Sequence, residues 1–209
     1  MKTILFQGDS ITDVSRERGD GYEIANFGFG YPNLIKAVLS YECPDEYKFY
    51  NRGISGNRII DIYARIKEDI INLKPDVMSI LDGVNDVWHE IENQNGIDAE
   101  KYYSIYSMLI KEIKEALPDI KIMILEPFVL HGEATNEHYD EFRAEVLKRA
   151  EKAKKIAEEY NLPFIALQEK LDKFYQTAPE GYWLWDGVHP TQAGHELIKR
   201  EWLNTFKNL

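Results

Sequence analysis

The sequence predicts an α/β fold in which a mostly parallel, five-stranded sheet has helices on both faces. Five short apolar runs of the kind that form strands recur along the chain, at 3–7, 47–51, 77–81, 121–125 and 163–167. Segments with helical spacing separate these runs, which is the alternation that crossover helices between parallel strands produce. The chain has 209 residues and shows no repeat or linker, so we expect a single domain over residues 1–209.

Local patterns predict the individual elements. The first strand, TILFQ, is ended by Gly8. One helical stripe is expected within 57–73, where apolar residues recur at intervals of three and four: Ile59, Tyr63, Ile66 and Ile70. Asp98 is expected to cap the helix that follows it, and Asn136 the long charged helix that runs to about residue 160. The segment 179–181, Pro-Glu-Gly, is interpreted as a loop inside the domain.

Composition excludes several classes of partner. Asp and Glu number 36 against 25 Lys and Arg, and the resulting net charge of −11 repels nucleic acid and anionic membrane surfaces. Cys43 is the only cysteine, so no internal disulfide is expected. No apolar run approaches the roughly 18 residues of a membrane span. Removal of a secretory leader would delete the first strand together with Ser10, so the expected location is the cytoplasm.

Four glycine-rich loops carry the chemistry-bearing residues. GDSIT follows the first strand, NRGISGN the second and DGVNDVW the third, while WLWDGVHPTQAGH precedes the last helix. In open parallel sheets, ligands bind at the carboxyl ends of the strands. We therefore expect these loops to share one pocket.

The residue types in these loops are those of acyl transfer, which needs a nucleophile, a base, an orienting acid and oxyanion donors. Ser10 is the candidate nucleophile, and His189 is the candidate base because Asp186 lies three residues before it and Gly187 permits the turn. Each motif also has a simpler interpretation. The segment around GDSIT could be only a strand, a glycine turn and a helix cap. The segment DGVHPT could be a surface turn in which Thr191 caps the final helix.

Three groups are candidate oxyanion donors: the backbone N–H groups of Ser10 and Gly53 and the side-chain amide of Asn85. Trp88 and Trp185 flank the catalytic loops and are expected to contact substrate, by stacking on a sugar or limiting the acyl pocket. The alternative for these aromatic side chains is packing at the core edge or at an interface of a homo-oligomer.

The remaining histidines are given no role in chemistry. His195 lies in the last helix and is expected to be a surface or packing residue, and His89, His131 and His138 lack a nearby orienting acid. No pair of histidines has metal-ligand spacing and there is no thiol cluster, so neither a metal nor another cofactor is expected.

Taken in order, GDS, the glycine of NRGISGN, GVND and DGVH resemble the four sequence blocks of the SGNH (GDSL) hydrolase superfamily, from Lys2 to about Trp202. The resemblance implies a flavodoxin-like three-layer α/β/α sandwich. It also implies that Ser10, Asp186 and His189 form a catalytic triad. The oxyanion hole implied consists of Ser10, Gly53 and Asn85.

Longer stretches, among them GFGYPNLI and WDGVHPTQAGHELI, are similar to the intracellular acetylxylan esterases, which remove acetyl groups from xylo-oligosaccharides. The substrate implied is a small soluble acyl ester, an acetylated sugar. Asp82 departs from the pattern, since an uncharged residue is expected before GVND.

Two alternatives remain at this stage. The same triad could act on a short acyl thioester or a lysophospholipid. A flavodoxin-like protein that binds flavin or phosphate at GDSIT belongs to a different class. That second interpretation leaves Asp186, His189, Asn85 and Gly53 unexplained.

Overall fold

Five strands form one parallel sheet in the computed structural model, which describes residues 1–18 and 24–209. The strand order is β2-β1-β3-β4-β5, and each neighbouring pair is parallel. The strands are β1 (Lys2–Gly8), β2 (Tyr47–Asn51), β3 (Val77–Leu81), β4 (Lys121–Leu125) and β5 (Phe164–Ile165). This order is the flavodoxin-like doubly wound arrangement, which confirms the predicted fold class.

Helices connect the strands and cover both faces of the sheet. Within the described residues the α-helices are α1 (Ser10–Asp13), α2 (Tyr31–Glu42), α3 (Ile59–Ala64), α4 (Ile66–Asp69), α5 (Val84–Asn93), α6 (Ala99–Ala116), α7 (Tyr139–Glu159), α8 (Gln168–Tyr175) and α9 (Gln192–Phe206). Short 3₁₀ turns occur at Ile24–Phe27, Ile71–Leu73 and Asn136–His138. No helix in this part of the chain combines the length and the apolar character needed to cross a bilayer.

Two apolar layers form because successive side chains of a strand point to opposite faces of the sheet. In β1, Ile4 and Phe6 pack with α2 and α9, whereas Leu5 packs with α3 and α6 on the other face. Fully burying one such side chain contributes roughly 1.5–3 kcal/mol. The strands between these layers are therefore held rigidly, and their carboxyl ends offer a fixed platform.

Most local predictions hold, with three corrections. Asp98 caps α6, since its side chain accepts from the N–H groups of Glu100 and Lys101. Asn136 does not cap α7; it begins a 3₁₀ turn, and its side chain bonds to His131 instead. The fifth strand is two residues long rather than five.

The predicted helix over 57–73 is divided into α3, α4 and a 3₁₀ turn. The Arg65 N–H bonds the Ile62 carbonyl three residues back, which tightens the last turn of α3 and ends it. The apolar stripe survives the break, because Ile59, Ile66 and Ile70 all remain buried.

The strand order determines where a site can form. β1 and β3 are neighbours, but the chain leaves them toward opposite edges of the sheet, toward β2 and β4 respectively. A crevice opens at such a switch point, beyond the carboxyl ends of the strands. Ser10 lies two residues after the end of β1, and Asn85 lies four residues after the end of β3.

Candidate active site

Ser10 is the first residue of α1, and the turn before it leaves room only for glycine. Gly8 has φ +154°, and a Cβ there would lie 2.3 Å from the Leu81 carbonyl oxygen. The side chain of Asp9 then accepts from the Ile11 N–H at 2.9 Å and starts the helix. Since the first N–H groups of a helix have no intrahelical acceptor, the Ser10 N–H remains directed out of the helix start.

A tight turn before α9 presents His189. One carboxylate oxygen of Asp186, Oδ1, accepts from the N–H groups of Val188 and His189 at 2.9 and 2.7 Å. Gly187, at φ +98°, reverses the chain within this turn, and its carbonyl accepts from the Leu130 N–H at 2.8 Å. The turn is therefore fixed both by its own carboxylate and by the loop after β4.

A chain of hydrogen bonds joins the three residues. Ser10 Oγ lies 2.9 Å from His189 Nε2, and His189 Nδ1 lies 2.6 Å from Asp186 Oδ2. Because Asp186 accepts at Nδ1–H, Nε2 of the neutral ring is left to accept the proton of Ser10. The arrangement can move a proton from Ser10 to His189.

The environment favours the charged form of each partner of this pair. Burial lowers the pKa of His189, but the hydrogen bond and charge of Asp186, with the charge of Asp9, outweigh it and raise the pKa above 6.5. For Asp186, burial raises the pKa, while hydrogen bonds from the His189 ring and backbone and from Val188 bring it below 3.8. Asp186 therefore stabilises an imidazolium at His189.

Asn85 reaches the same crevice from the start of α5. Its Nδ2 donates to the Asn57 carbonyl at 3.0 Å and lies 3.4 Å from Asp9 Oδ2. Asp9 is 1% exposed, and burial is the main cause that raises its pKa to about 7. No sequence pattern singles out Asp9, since its carboxyl becomes notable only once the fold buries it.

The N–H of Gly53, an expected oxyanion donor, is already bonded within its own motif. Its N–H donates to Asn51 Oδ1 at 3.0 Å, and a Cβ at this residue would lie 2.6 Å from the Asp13 nitrogen. Glycine is needed there because the loop packs against α1, and the N–H is already used. The expectation for Gly53 is therefore wrong in this structure.

Gly56, three residues later in the same motif, has the properties expected of Gly53. It is half-buried at φ +80°, and the nearest atom to a Cβ there would be His89 Nε2 at 4.0 Å. The next residue is Asn57, whose carbonyl binds Asn85. Asp13 Oδ2 holds this loop by accepting from the Ser55 N–H and hydroxyl at 2.9 and 3.1 Å.

Both expected substrate-contacting tryptophans lie beside His189. The Trp185 ring stacks on the imidazole at 5.7 Å and 18° and is 58% exposed, while the Trp88 ring lies at 5.8 Å. Trp183 instead packs on Phe174 and Tyr182. The two rings next to His189 therefore form walls around its imidazole.

His195 is a packing residue rather than a surface residue. It is buried, and its Nδ1 accepts from the Tyr31 N–H at the start of α2 at 3.2 Å. Burial lowers its pKa to about 4, so the ring is neutral and can hold this bond. His131 stacks on Tyr139 and bonds Asn136. In 1–18 and 24–209, no three His, Cys, Asp or Glu side chains are grouped to hold a metal ion.

A serine, a histidine and an aspartate joined in one hydrogen-bonded chain are the arrangement that serine hydrolases use. The chain belongs to the GDSL-like lipase/acylhydrolase family, whose model matches residues 6–197. It is a carboxylic ester hydrolase, and the resemblance found in its four loops is confirmed.

Relatives of known structure share the whole fold. The chain is 34% identical over 204 residues to an acetylxylan esterase of Geobacillus stearothermophilus, covering 96% of this chain and 91% of the relative. The crystal structure of that esterase, Axe2, superposes with a TM-score of 0.87 at 32% identity, covering 97% of this chain and 93% of the other. A protein described as a GDSL-like lipase of Parabacteroides merdae gives 0.89 at 37% identity, covering 97% and 94%.

Catalytic mutants of the Geobacillus esterase replace a serine, an aspartate and a histidine, and the aspartate lies three residues before the histidine. Other structures of the same protein describe it as an acetyl-xylooligosaccharide esterase.

Proposed function

We propose that Ser10, His189 and Asp186 form the catalytic triad of an acetylesterase. The observation that carries the proposal is the unbroken chain of hydrogen bonds from Ser10 Oγ through His189 to Asp186. The residue types and the spacing of aspartate and histidine match the catalytic mutants of the Geobacillus relative.

Each residue has a defined step. His189 Nε2 takes the proton of Ser10 as Oγ attacks the ester carbonyl carbon, and Asp186 stabilises the imidazolium that forms. His189 then gives this proton to the leaving alcohol oxygen, and an acyl-Ser10 ester remains. Water attacks this ester while His189 acts as base, releasing the acid and restoring Ser10.

The oxyanion hole consists of the Ser10 N–H, the Gly56 N–H and the Asn85 amide. Gly56 takes the place first given to Gly53, whose N–H is bonded to Asn51. The contact of 3.4 Å between Asn85 Nδ2 and Asp9 is long for a hydrogen bond, so this N–H can turn to a developing oxyanion at little cost.

The substrate class is the acetyl ester of a small soluble sugar, with acetylated xylo-oligosaccharides as the preferred members. The relatives described as acetylxylan and acetyl-xylooligosaccharide esterases support this choice. The exposed ring of Trp185 beside His189 offers a flat apolar face for a sugar, and Trp88 closes the other side of the imidazole. The membership of the chain among ester hydrolases rules out the interpretation as a flavin- or phosphate-binding protein. The cytoplasmic location and a homo-oligomeric state stay predictions.

The test is kcat/KM for 4-nitrophenyl esters of increasing acyl length, beside acetate release from acetylated xylobiose. We expect acetyl to be fastest and kcat/KM to fall steeply from butyryl to octanoyl. In an open apolar slot each methylene would add about 0.8 kcal/mol of binding, so the two tryptophans must reverse that trend. Trp185→Ala should flatten the fall. A maximum at octanoyl, with no acetate released from the sugar, would indicate a lipid or thioester substrate.

Activity should fall on the acid side because His189 can accept the Ser10 proton only when it is neutral. The raised pKa of His189 places the midpoint of this limb above pH 6.5. Below the midpoint, kcat/KM should drop about tenfold per pH unit. The measurement is kcat/KM for 4-nitrophenyl acetate, whose charge does not change with pH. A rate that stays constant down to about pH 4 would exclude His189 as the base.

Asn85→Ala should lower kcat by about 10²–10³, the usual cost of one oxyanion donor. KM should change little, because the donor acts on charge that exists only in the transition state. Asn85→Asp is the matched variant, since it keeps the shape but its ionised carboxylate cannot donate. We expect it to lose at least as much activity. A raised KM with normal kcat in both variants would make Asn85 a ground-state binding residue.

A further inference from the structure

Asp82, the residue that departs from the family pattern, has an unusual environment behind the site. It follows β3 directly and is 2% exposed. Among the described residues, neither of its carboxyl oxygens receives a hydrogen bond from an N–H or a hydroxyl group. Its side chain lies next to the carboxyl of Asp86, which is 0% exposed.

Charged groups of the described residues surround this pair, but none bonds to Asp82. The titratable side chains that act on the two carboxyls come from the turn after β1, the start of α3, α6 and α7: Asp9, Arg58, Asp61, Tyr102, Tyr106 and Arg149. Arg58 donates to Asp61 and to the Asn95 carbonyl, and Arg149 donates to Glu145 and to the Ile97 carbonyl. No described cation therefore bonds to Asp82.

Two buried carboxylates in contact cannot both be ionised without a compensating cation. Burial is the largest cause that raises the pKa of both groups, that of Asp82 well above 3.8 and that of Asp86 to about 7. A proton shared between Asp82 and Asp86 removes the repulsion, because the protonated carboxyl donates a hydrogen bond to the ionised one. Asp82 is the natural donor, since Asp86 already accepts from the Ile59 N–H.

Asp86 connects this proton to the oxyanion hole. Both of its oxygens accept from the Ile59 N–H, at 3.3 and 3.2 Å, and its neighbour Asn85 holds the Asn57 carbonyl at 3.0 Å. These bonds join the start of α5 to the loop that contains Gly56. Movement of the Asp86 carboxyl would displace both proposed donors, Gly56 and Asn85, relative to Ser10.

We propose that Asp82 is a positioning residue: its carboxyl donates a proton-sharing hydrogen bond to Asp86 that holds the start of α5 against the Gly56 loop, and loss of that proton sets an alkaline limit to activity. The expected effect on activity rests on the proposed function, whereas the existence of the Asp82–Asp86 pair does not. Deprotonation places a second negative charge in contact with Asp86, so the two carboxylates repel and the loop is released.

The kinetic test compares Asp82→Asn with Asp82→Ala. An asparagine amide donates to Asp86 at every pH, so Asp82→Asn should keep kcat near the wild-type value at pH 7 and move the alkaline limb upward by about one unit or more. Asp82→Ala removes the donor, so its kcat should fall by about 2-fold to 30-fold at all pH values, with KM little changed.

Asp69→Asn is the matched control, because Asp69 is also a buried carboxylate but bonds Arg65, outside the site. Its alkaline limb should coincide with that of the wild type. The proposal is overturned if Asp82→Asn loses activity at the same alkaline pH as the wild type, or if Asp82→Ala keeps both the wild-type kcat and pH profile.

A measurement without substrate separates this proposal from the proposed function and remains available if Asp82→Ala fails to fold. In protein labelled with ¹³C at aspartate carboxyls, one resonance absent from Asp82→Asn should retain the chemical shift of a protonated acid at pH 7. An ionised Asp82 at that pH would overturn the proposal, whatever the esterase assays show. A protonated Asp82 in a protein that cleaves no ester would instead count against the proposed function alone.

Discussion

Ser10→Ala and His189→Ala should each lower kcat for ester hydrolysis by about 10⁶-fold, the scale known for triads in which two residues perform one proton transfer. Ser10 Oγ and His189 Nε2 are 2.9 Å apart, so removing either group abolishes the same step. Binding should survive, because the proposed oxyanion donors and both tryptophans remain. The measurement is single-turnover and steady-state hydrolysis of 4-nitrophenyl acetate by each variant.

The double variant should be little slower than either single one, because the second substitution removes nothing that still acts. His138→Ala is the control, since this exposed histidine lies outside the site and should keep full activity. Thermal unfolding should show that Ser10→Ala remains folded. Losses that multiply in the double variant would mean that Ser10 and His189 do not act as a unit.

The fold could be predicted because its signals are local. Each of the five strands is a short apolar run, and residues such as Asp98 mark a helix start within three positions. The positions of Ser10 and Asn85 followed from the same reasoning, since carboxyl ends of parallel strands share one edge of the sheet. The proposed triad pair, Asp186 and His189, could be predicted because both residues lie in one short turn.

The remaining features depend on individual hydrogen bonds and on burial, which residue types and hydrophobic patterns do not specify. Gly53 and Gly56 lie in the same motif, and only the bond that the Gly53 N–H donates to Asn51 Oδ1 shows which N–H is already used. The sequence flags Asp82 as unusual, but its contact with Asp86 and the lack of a donor arise from burial under α6. The break in the helix over 57–73 likewise reflects a local bond at Arg65 that no hydrophobic pattern encodes.

Asp186→Asn should lower kcat by about 10⁴-fold while the protein remains folded. The structure gives the reason. Asp186 Oδ1 accepts from the backbone N–H groups of Val188 and His189, so an asparagine must place its carbonyl oxygen there. Its NH₂ group then faces His189 Nδ1, which has to become an acceptor. The ring proton moves to Nε2, and Nε2 can no longer take the proton of Ser10.

Two measurements distinguish this tautomer effect from simple destabilisation. Without the carboxylate, the pKa of His189 should fall, so the acid limb of the residual activity should move to lower pH than in the wild type. Asp172→Asn is the matched control, because Asp172 pairs with Arg143 outside the triad and its substitution should leave kcat within about twofold. If Asp186→Asn kept kcat within tenfold of the wild type with an unshifted acid limb, Asp186 would not be the residue that orients His189.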